Sequence, residues 1–171
     1  LIGLSFGVHF MGLLTVPAIG MLYYFRNYTF SWKSFVIANV VSVAVLLFVF
    51  KLLLPLTLAY FGNAEVFFVN SFGLPFNSGT IIAGLSIIAF FIWGLRFTQQ
   101  KKWVQLNTGL WCIAFILIGF SSWIMLPIRA NANTVINENA PADARSLLAY
   151  YNLEQYPETH LFYGPMYTDM Y

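Results

Sequence analysis

TIIAGLSIIAFFIWGLRFTQQKKWVQLNTGLWCIAFILIGFSSWIMLP, residues 80–127, decides the fold. Two apolar runs, Thr80 to Leu95 and Val104 to Leu126, flank one short loop that carries Arg96, Lys101 and Lys102. A helix needs about 20 consecutive apolar residues to cross the hydrocarbon core of a bilayer. The two runs therefore predict a tight helical hairpin in a membrane, with its basic turn at one face.

Two further runs precede the hairpin. Leu1 to Phe25 is long enough to span; Gly3, Gly7, Gly12, Pro17 and Gly20 interrupt it, and Tyr23, Tyr24 and Arg26 end it. The small residues at Gly3 and Gly7 allow another helix to approach closely. The next run starts near Ser34 and is apolar to Phe50, with Lys51 interrupting it before residue 54. Lys51 has two readings. It snorkels to the outer interface, where Pro55 and Tyr60 suggest the helix leaves the bilayer, or it lies deeper and pairs with another group. Residues 61–79, FGNAEVFFVNSFGLPFNSG, mix Phe, Gly, Asn and Pro without helical periodicity. They predict an interfacial or re-entrant element, because irregular backbone at membrane depth is tolerated only where protein or water satisfies it.

The sign of the loop charges orients these spans. Arg26 and Lys33, then Arg96, Lys101 and Lys102, occupy two loops that have no acid. Glu65, Glu138, Asp143, Glu154, Glu158 and Asp169 lie in the other connections. Short cytoplasmic loops carry the Lys/Arg excess, so residue 1 and the tail are expected on the non-cytoplasmic side. The sequon Asn27-Tyr28-Thr29 then falls inside and is discounted.

Composition agrees with a membrane protein. The chain of 171 residues is 60% hydrophobic and 8% charged, with a mean hydropathy of +0.74. Soluble domains are about 25% charged. A net charge of +2 without a basic run gives no sign of a nucleic-acid partner, and none is expected. Cys112, the single cysteine, sits in an apolar run and reads as a small core hydrophobe. Leu1 is already inside an apolar run, with no initiator Met and no signal-peptide pattern. That leads to the expectation of a piece of a longer protein.

From residue 128 the composition turns polar. Pro141 and Asp143 signal a helix start. Leu147, Leu148 and Tyr151 then share one side of a short amphipathic helix, which Pro157 is expected to end, and YGP at 163–165 signals a turn. The expected architecture is an all-α integral membrane protein, a polytopic helical bundle with spans at 1–25, 34–54, 80–96 and 104–126. The outer loop is interfacial or re-entrant, and residues 128–171 begin a soluble region.

No complete catalytic constellation is legible. His9 and His160 lie in different regions, and no Cys/His/Asp/Glu cluster has metal-ligand spacing. Four residues are candidates for a site. His9 reads as a packed histidine bonded to a neighbouring helix or, since histidine inside a membrane is costly, as a hydrogen-bond donor to phosphate or sugar. Arg129 suits a phosphate head group or serves as an interfacial anchor. Glu65 and Asn70 could line an outer groove, Glu65 also reading as a solvated loop carboxylate.

Three stretches carry a family resemblance: GLSFGVHFMGLLTVPA at 3–18, EVFFVNSFGLPFNSG at 65–79, and IRANANTVINENAPADARSLLAYYNLEQYPETHLFYGP at 128–165. In this order they resemble the bacterial members of glycosyltransferase family 117. That family is related to the protein O-mannosyltransferases within the glycosyltransferase-C superfamily. The resemblance implies an enzyme of the bacterial inner membrane with a lipid-linked sugar donor, a polyprenyl phosphate. It would pass the sugar to an acceptor such as a protein hydroxyl on the periplasmic side. It also implies that the acidic, catalytic motif lies upstream of residue 3, so no catalytic residue is assigned and the isolated chain is expected to be inactive. Leu153 and Pro157 depart from the Arg and Gly frequent in relatives. The resemblance assigns no cofactor. Partners are the membrane lipid, the donor, a possible protein acceptor and the remainder of a longer chain or larger complex. Two rivals remain. A scaffold or accessory subunit fits spans without acids. A transporter would show more mid-membrane ionisable residues than Lys51 and His9.

Overall fold

A computed structural model of the chain describes residues 2–9, 12, 14–132 and 134–157. Among these residues every regular element is helical. His160, Glu158, Asp169 and the turn at 163–165 lie outside the described residues. The elements are α1 (Ile2–Val8), α2 (Thr15–Asn27), α3 (Trp32–Leu47), a π-helical segment Phe48–Leu53, and α4 (Leu54–Phe72). They continue with α5 (Ser78–Gln100), α6 (Val104–Phe120), a 3₁₀ turn Ser121–Ile124, α7 (Met125–Ala130) and α8 (Ala144–Tyr151). Three helical stretches are long and apolar enough to cross a bilayer: Trp32–Phe72, Ser78–Gln100 and Val104–Ala130.

The run expected as a single span over residues 1–25 is divided. Helix α1 stops at Val8, the Gly12 N–H turns back to the His9 carbonyl at 2.9 Å, and α2 begins at Thr15. Pro17 supplies the reason. It has no N–H to continue a ladder from the preceding turn, but it is tolerated in the first turn of a helix, where that donor is unmet anyway.

The larger difference lies at 61–79. Residues 61–72 are helical, and the α3–π–α4 stretch runs unbroken for 41 residues. Only residues 73–77 form the connection to α5. Gly73 ends α4 in the left-handed conformation at φ 63°, and its N–H returns to the Val69 carbonyl at 3.0 Å. Glycine adopts this cap without a Cβ penalty. At 1.5 Å per residue the long helix measures about 60 Å. The hydrocarbon core is about 30 Å thick and tilts rarely exceed about 40°, so the helix is longer than the hydrocarbon core at any such tilt.

Pro55 accounts for the π-helical segment. The Leu54 N–H bonds the Val49 carbonyl, five residues back. In that register residue 55 should bond the Phe50 carbonyl, but proline has no N–H. The Tyr151 hydroxyl, brought from α8, donates to the Phe50 oxygen at 3.0 Å. Lys51 sits in this segment, exposed, with its Nζ 5.4 Å from the Phe50 ring centre.

Lipid tails give no hydrophobic incentive for helices to associate, so membrane helices join through small residues and interhelical hydrogen bonds. Both devices appear. Gly3 lies on the Ile116 carbonyl and Gly119, Gly7 on Ser122, Gly20 on Ser42, and Gly79 on the backbone of Ala64 and Glu65. Hydrogen bonds join Tyr24 Oη to Ser34 Oγ (2.6 Å), Tyr60 Oη to Ser86 Oγ (2.7 Å), and Asn107 Nδ2 to Thr98 Oγ1 (2.8 Å). The close contact predicted for Gly3 and Gly7 is present, with α6 and the 3₁₀ turn as partners.

The core forms where the polar tail meets the bundle. Val49, Leu54 and Leu58 of the long helix pack with Phe120, Trp123, Val16, and Leu147 and Leu148 of α8. Helix α8 starts at the expected place. Asp143 Oδ1 accepts the Ser146 N–H at 2.8 Å, and Ser146 Oγ accepts the Asp143 N–H at 2.9 Å, a reciprocal cap. Leu147, Leu148 and Tyr151 do share its inner face. The helix ends at Tyr151 rather than at Pro157, and Leu153 follows with φ 57°.

Burial under Trp123 and α4 pushes the Tyr151 phenol from 10.0 up to about 12. A group that holds its proton more tightly when folded contributes stability fully below its unfolded value and loses it as pH rises through its folded value. Docking of α8 is therefore expected to hold up to about pH 10 and to weaken between 10 and 12. A phenolate absorbance titration of the wild-type protein against Tyr151→Phe checks this. The variant should lack one late-titrating phenol; loss of a phenol that titrates near 10 would contradict the assignment.

Candidate functional site

The candidate residues fall on two sides of the bundle. His9 directly follows α1, whose glycines seat it on the end of α6. The buried Ser122 Oγ faces Gly7 and has no hydrogen-bond partner among the described residues. Seven residues beyond Ser122, about 10 Å along a helix, α7 carries Arg129. Both His9 and Arg129 are exposed. Both residues thus lie beyond the same end of α6, His9 after α1 and Arg129 on α7.

Glu65 is neither in a loop nor solvated. It lies on α4 with 5% exposure. Its Oε1 accepts the Asn77 N–H at 2.5 Å, and its Oε2 accepts the Thr80 N–H at 2.7 Å and the Thr80 hydroxyl at 2.9 Å. These N–H groups belong to the first turn of α5, which has no capping bond from its own N-cap residue Asn77. A carboxyl group at a helix N-terminus satisfies orphan donors and opposes the positive end of the helix dipole. Here the cap comes from a neighbouring helix. Gly79 permits it, since a Cβ there would strike the Ala64 carbonyl and the Glu65 Cα. Asn70, five residues further along α4, is exposed and points to a different face.

Sequence reasoning passed over Thr80, Asn77 and the Tyr151–Phe50 bond. The signal for the first two was the Asn-Ser-Gly-Thr run at 77–80, a helix-start composition without an acid of its own. Nothing local signals the third, because its partners are 101 residues apart. Among the described residues no three His, Cys, Asp or Glu side chains converge to hold a metal.

Apolar helices of spanning length, joined by small residues and polar pairs, define the class: a polytopic helical membrane protein. Residues 1–32, covering α1, α2 and the turn into α3, match the family model described as the Protein O-mannosyl-transferase TMEM260 N-terminal domain. That match, over 32 of 171 residues, relates this part of the chain to a membrane glycosyltransferase family. No curated protein and no solved structure matches the chain.

Proposed function

We propose that the chain forms part of a membrane glycosyltransferase that moves a sugar from a polyprenyl-phosphate donor to an acceptor, a protein hydroxyl, on the non-cytoplasmic face. The observation that carries this reading is the match of residues 1–32 to an O-mannosyltransferase N-terminal domain. The resemblance of 3–18, 65–79 and 128–165 to bacterial glycosyltransferase family 117 supports the narrower assignment, with the His9 end of α1 and the tail on the periplasmic side; α1 runs parallel to α6, so residue 1 lies on the membrane side of His9.

In this reading His9 and Arg129 hold the lipid-linked phosphate, since both donate to anionic oxygen and both lie at one end of α6. Asn70, exposed on α4, lines the acceptor side, and Glu65 supports it from beneath by holding α5 against α4. Attack by a hydroxyl on the sugar carbon needs a general base, normally a carboxylate. The resemblance puts that base upstream of residue 3. Glu65 is committed to α5 and takes no part in proton transfer.

The side of the membrane is testable by cysteine accessibility. In a Cys112→Ser background, Asn137→Cys should react with an impermeant maleimide added to intact cells, and Ser31→Cys should react only after permeabilisation. Labelling of position 31 from outside would contradict a periplasmic site for Arg129 and His9.

A further inference from the structure

The far end of α5 carries a second feature, separate from the proposed sugar-transfer end. Gly94 packs against Leu110, and Thr98 bonds Asn107, so these two residues define the face of α5 that meets α6. Ala89, Ile92, Trp93, Arg96, Phe97 and Gln100 recur at three- and four-residue spacing on the side turned away from that contact. They line an open groove of about 430 Å³.

The chemistry of the groove changes along its length. Ala89 and Ile92 are apolar. Trp93 and Phe97 stack with ring centres 5.4 Å apart, and Trp103 meets Phe97 edge-on at 5.8 Å. Lys101 Nζ lies 6.0 Å from the Phe97 ring centre, and Arg96 is exposed beside it. The sequence holds no acid between Glu65 and Glu138, and among the described residues the one ion pair is Arg145–Glu154. Arg96, Lys101 and Lys102 therefore concentrate positive charge at the end of a spanning helix without a carboxylate to neutralise it.

We propose that this groove binds the headgroup of an anionic phospholipid, its phosphate held by Arg96, Gln100 and Lys101 and its first methylenes lying along Ile92 and Ala89. Charge complementarity selects the occupant. Basic residues at the membrane surface attract anionic lipid, and tryptophan seats itself at headgroup level. A free phosphate would meet the same cations but leave the aromatic and apolar lining unused.

The test is native mass spectrometry of the whole chain released from detergent, with dioleoyl phosphatidylglycerol and dioleoyl phosphatidylcholine as probes. The wild-type chain should prefer phosphatidylglycerol, and Arg96→Gln with Lys101→Gln should lower its apparent affinity about tenfold. Arg26→Gln with Lys33→Gln, in the other basic loop, should leave it unchanged. Equal binding of the two lipids by the wild-type chain would overturn the proposal without any variant having to fold. So would undiminished phosphatidylglycerol binding by the folded Arg96/Lys101 variant, or competition by inorganic phosphate that displaces the lipid.

Discussion

Glu65→Ala is expected to destabilise the protein by about 1–3 kcal/mol, the usual cost of leaving a buried hydrogen-bonding group unsatisfied. Three donors depend on this side chain: the N–H groups of Asn77 and Thr80 and the Thr80 hydroxyl. Glu65 itself is 5% exposed, its partners Asn77 and Thr80 are exposed and half-buried, and the first turn of α5 has no cap of its own to substitute. The α4–α5 hairpin should open from its Gly73–Asn77 turn. Glu65→Gln retains one acceptor oxygen and should lose roughly half as much. Asn70→Ala, exposed on the same helix, should change stability by less than about 0.5 kcal/mol. Denaturant unfolding in micelles reads the ordering, and hydrogen exchange at residues 77–81 locates it. A Glu65→Ala protein as stable as wild type, with unchanged exchange at Thr80, would refute the cap.

Much of this fold was legible because period and length in a membrane leave few alternatives. The hairpin of α5 and α6 follows from two apolar runs and a basic turn, and Asp143 announced α8 through its own side chain. What was not legible depended on contacts between distant residues. Residues 61–72 lack an apolar period because α4 is not a lipid-facing helix on all sides there. Gly62 accommodates Leu148 and the Ala144 carbonyl of α8, and Glu65 is polar because it caps α5. Tertiary partners decided those residue types, so reading them for local propensity gave an irregular loop. The π-helical segment was hidden for a related reason. Pro55 reads as a helix leaving the bilayer, yet a shifted register and a tyrosine from α8 let the helix continue. Of the candidate residues, His9 and Arg129 are proposed from their chemistry alone, and the Gly3–Gly119 and Gly7–Ser122 contacts that seat α1 beside the end of α6 are not legible in the sequence.

His9→Ala and Arg129→Ala should each reduce donor use by roughly 1–3 kcal/mol, the usual cost of removing one partner of a charge-assisted bond, or about five- to 150-fold in rate. Arg129 is exposed, so its loss should leave expression and unfolding as in wild type; the His9→Ala rate is compared at matched folded protein, read by the same unfolding measurement. Lys51, on the π-helical segment of the long helix, provides a basic control outside the proposed site.

Sugar transfer itself tests the account most directly. The full-length protein containing this chain, reconstituted with a radiolabelled polyprenyl-phosphate hexose and an acceptor protein, is predicted to move label onto hydroxyl side chains. Both His9→Ala and Arg129→Ala should slow that transfer while Lys51→Gln leaves it intact. Equal transfer rates in wild type and both alanine variants, or a donor left uncleaved by the folded wild-type protein, would contradict it.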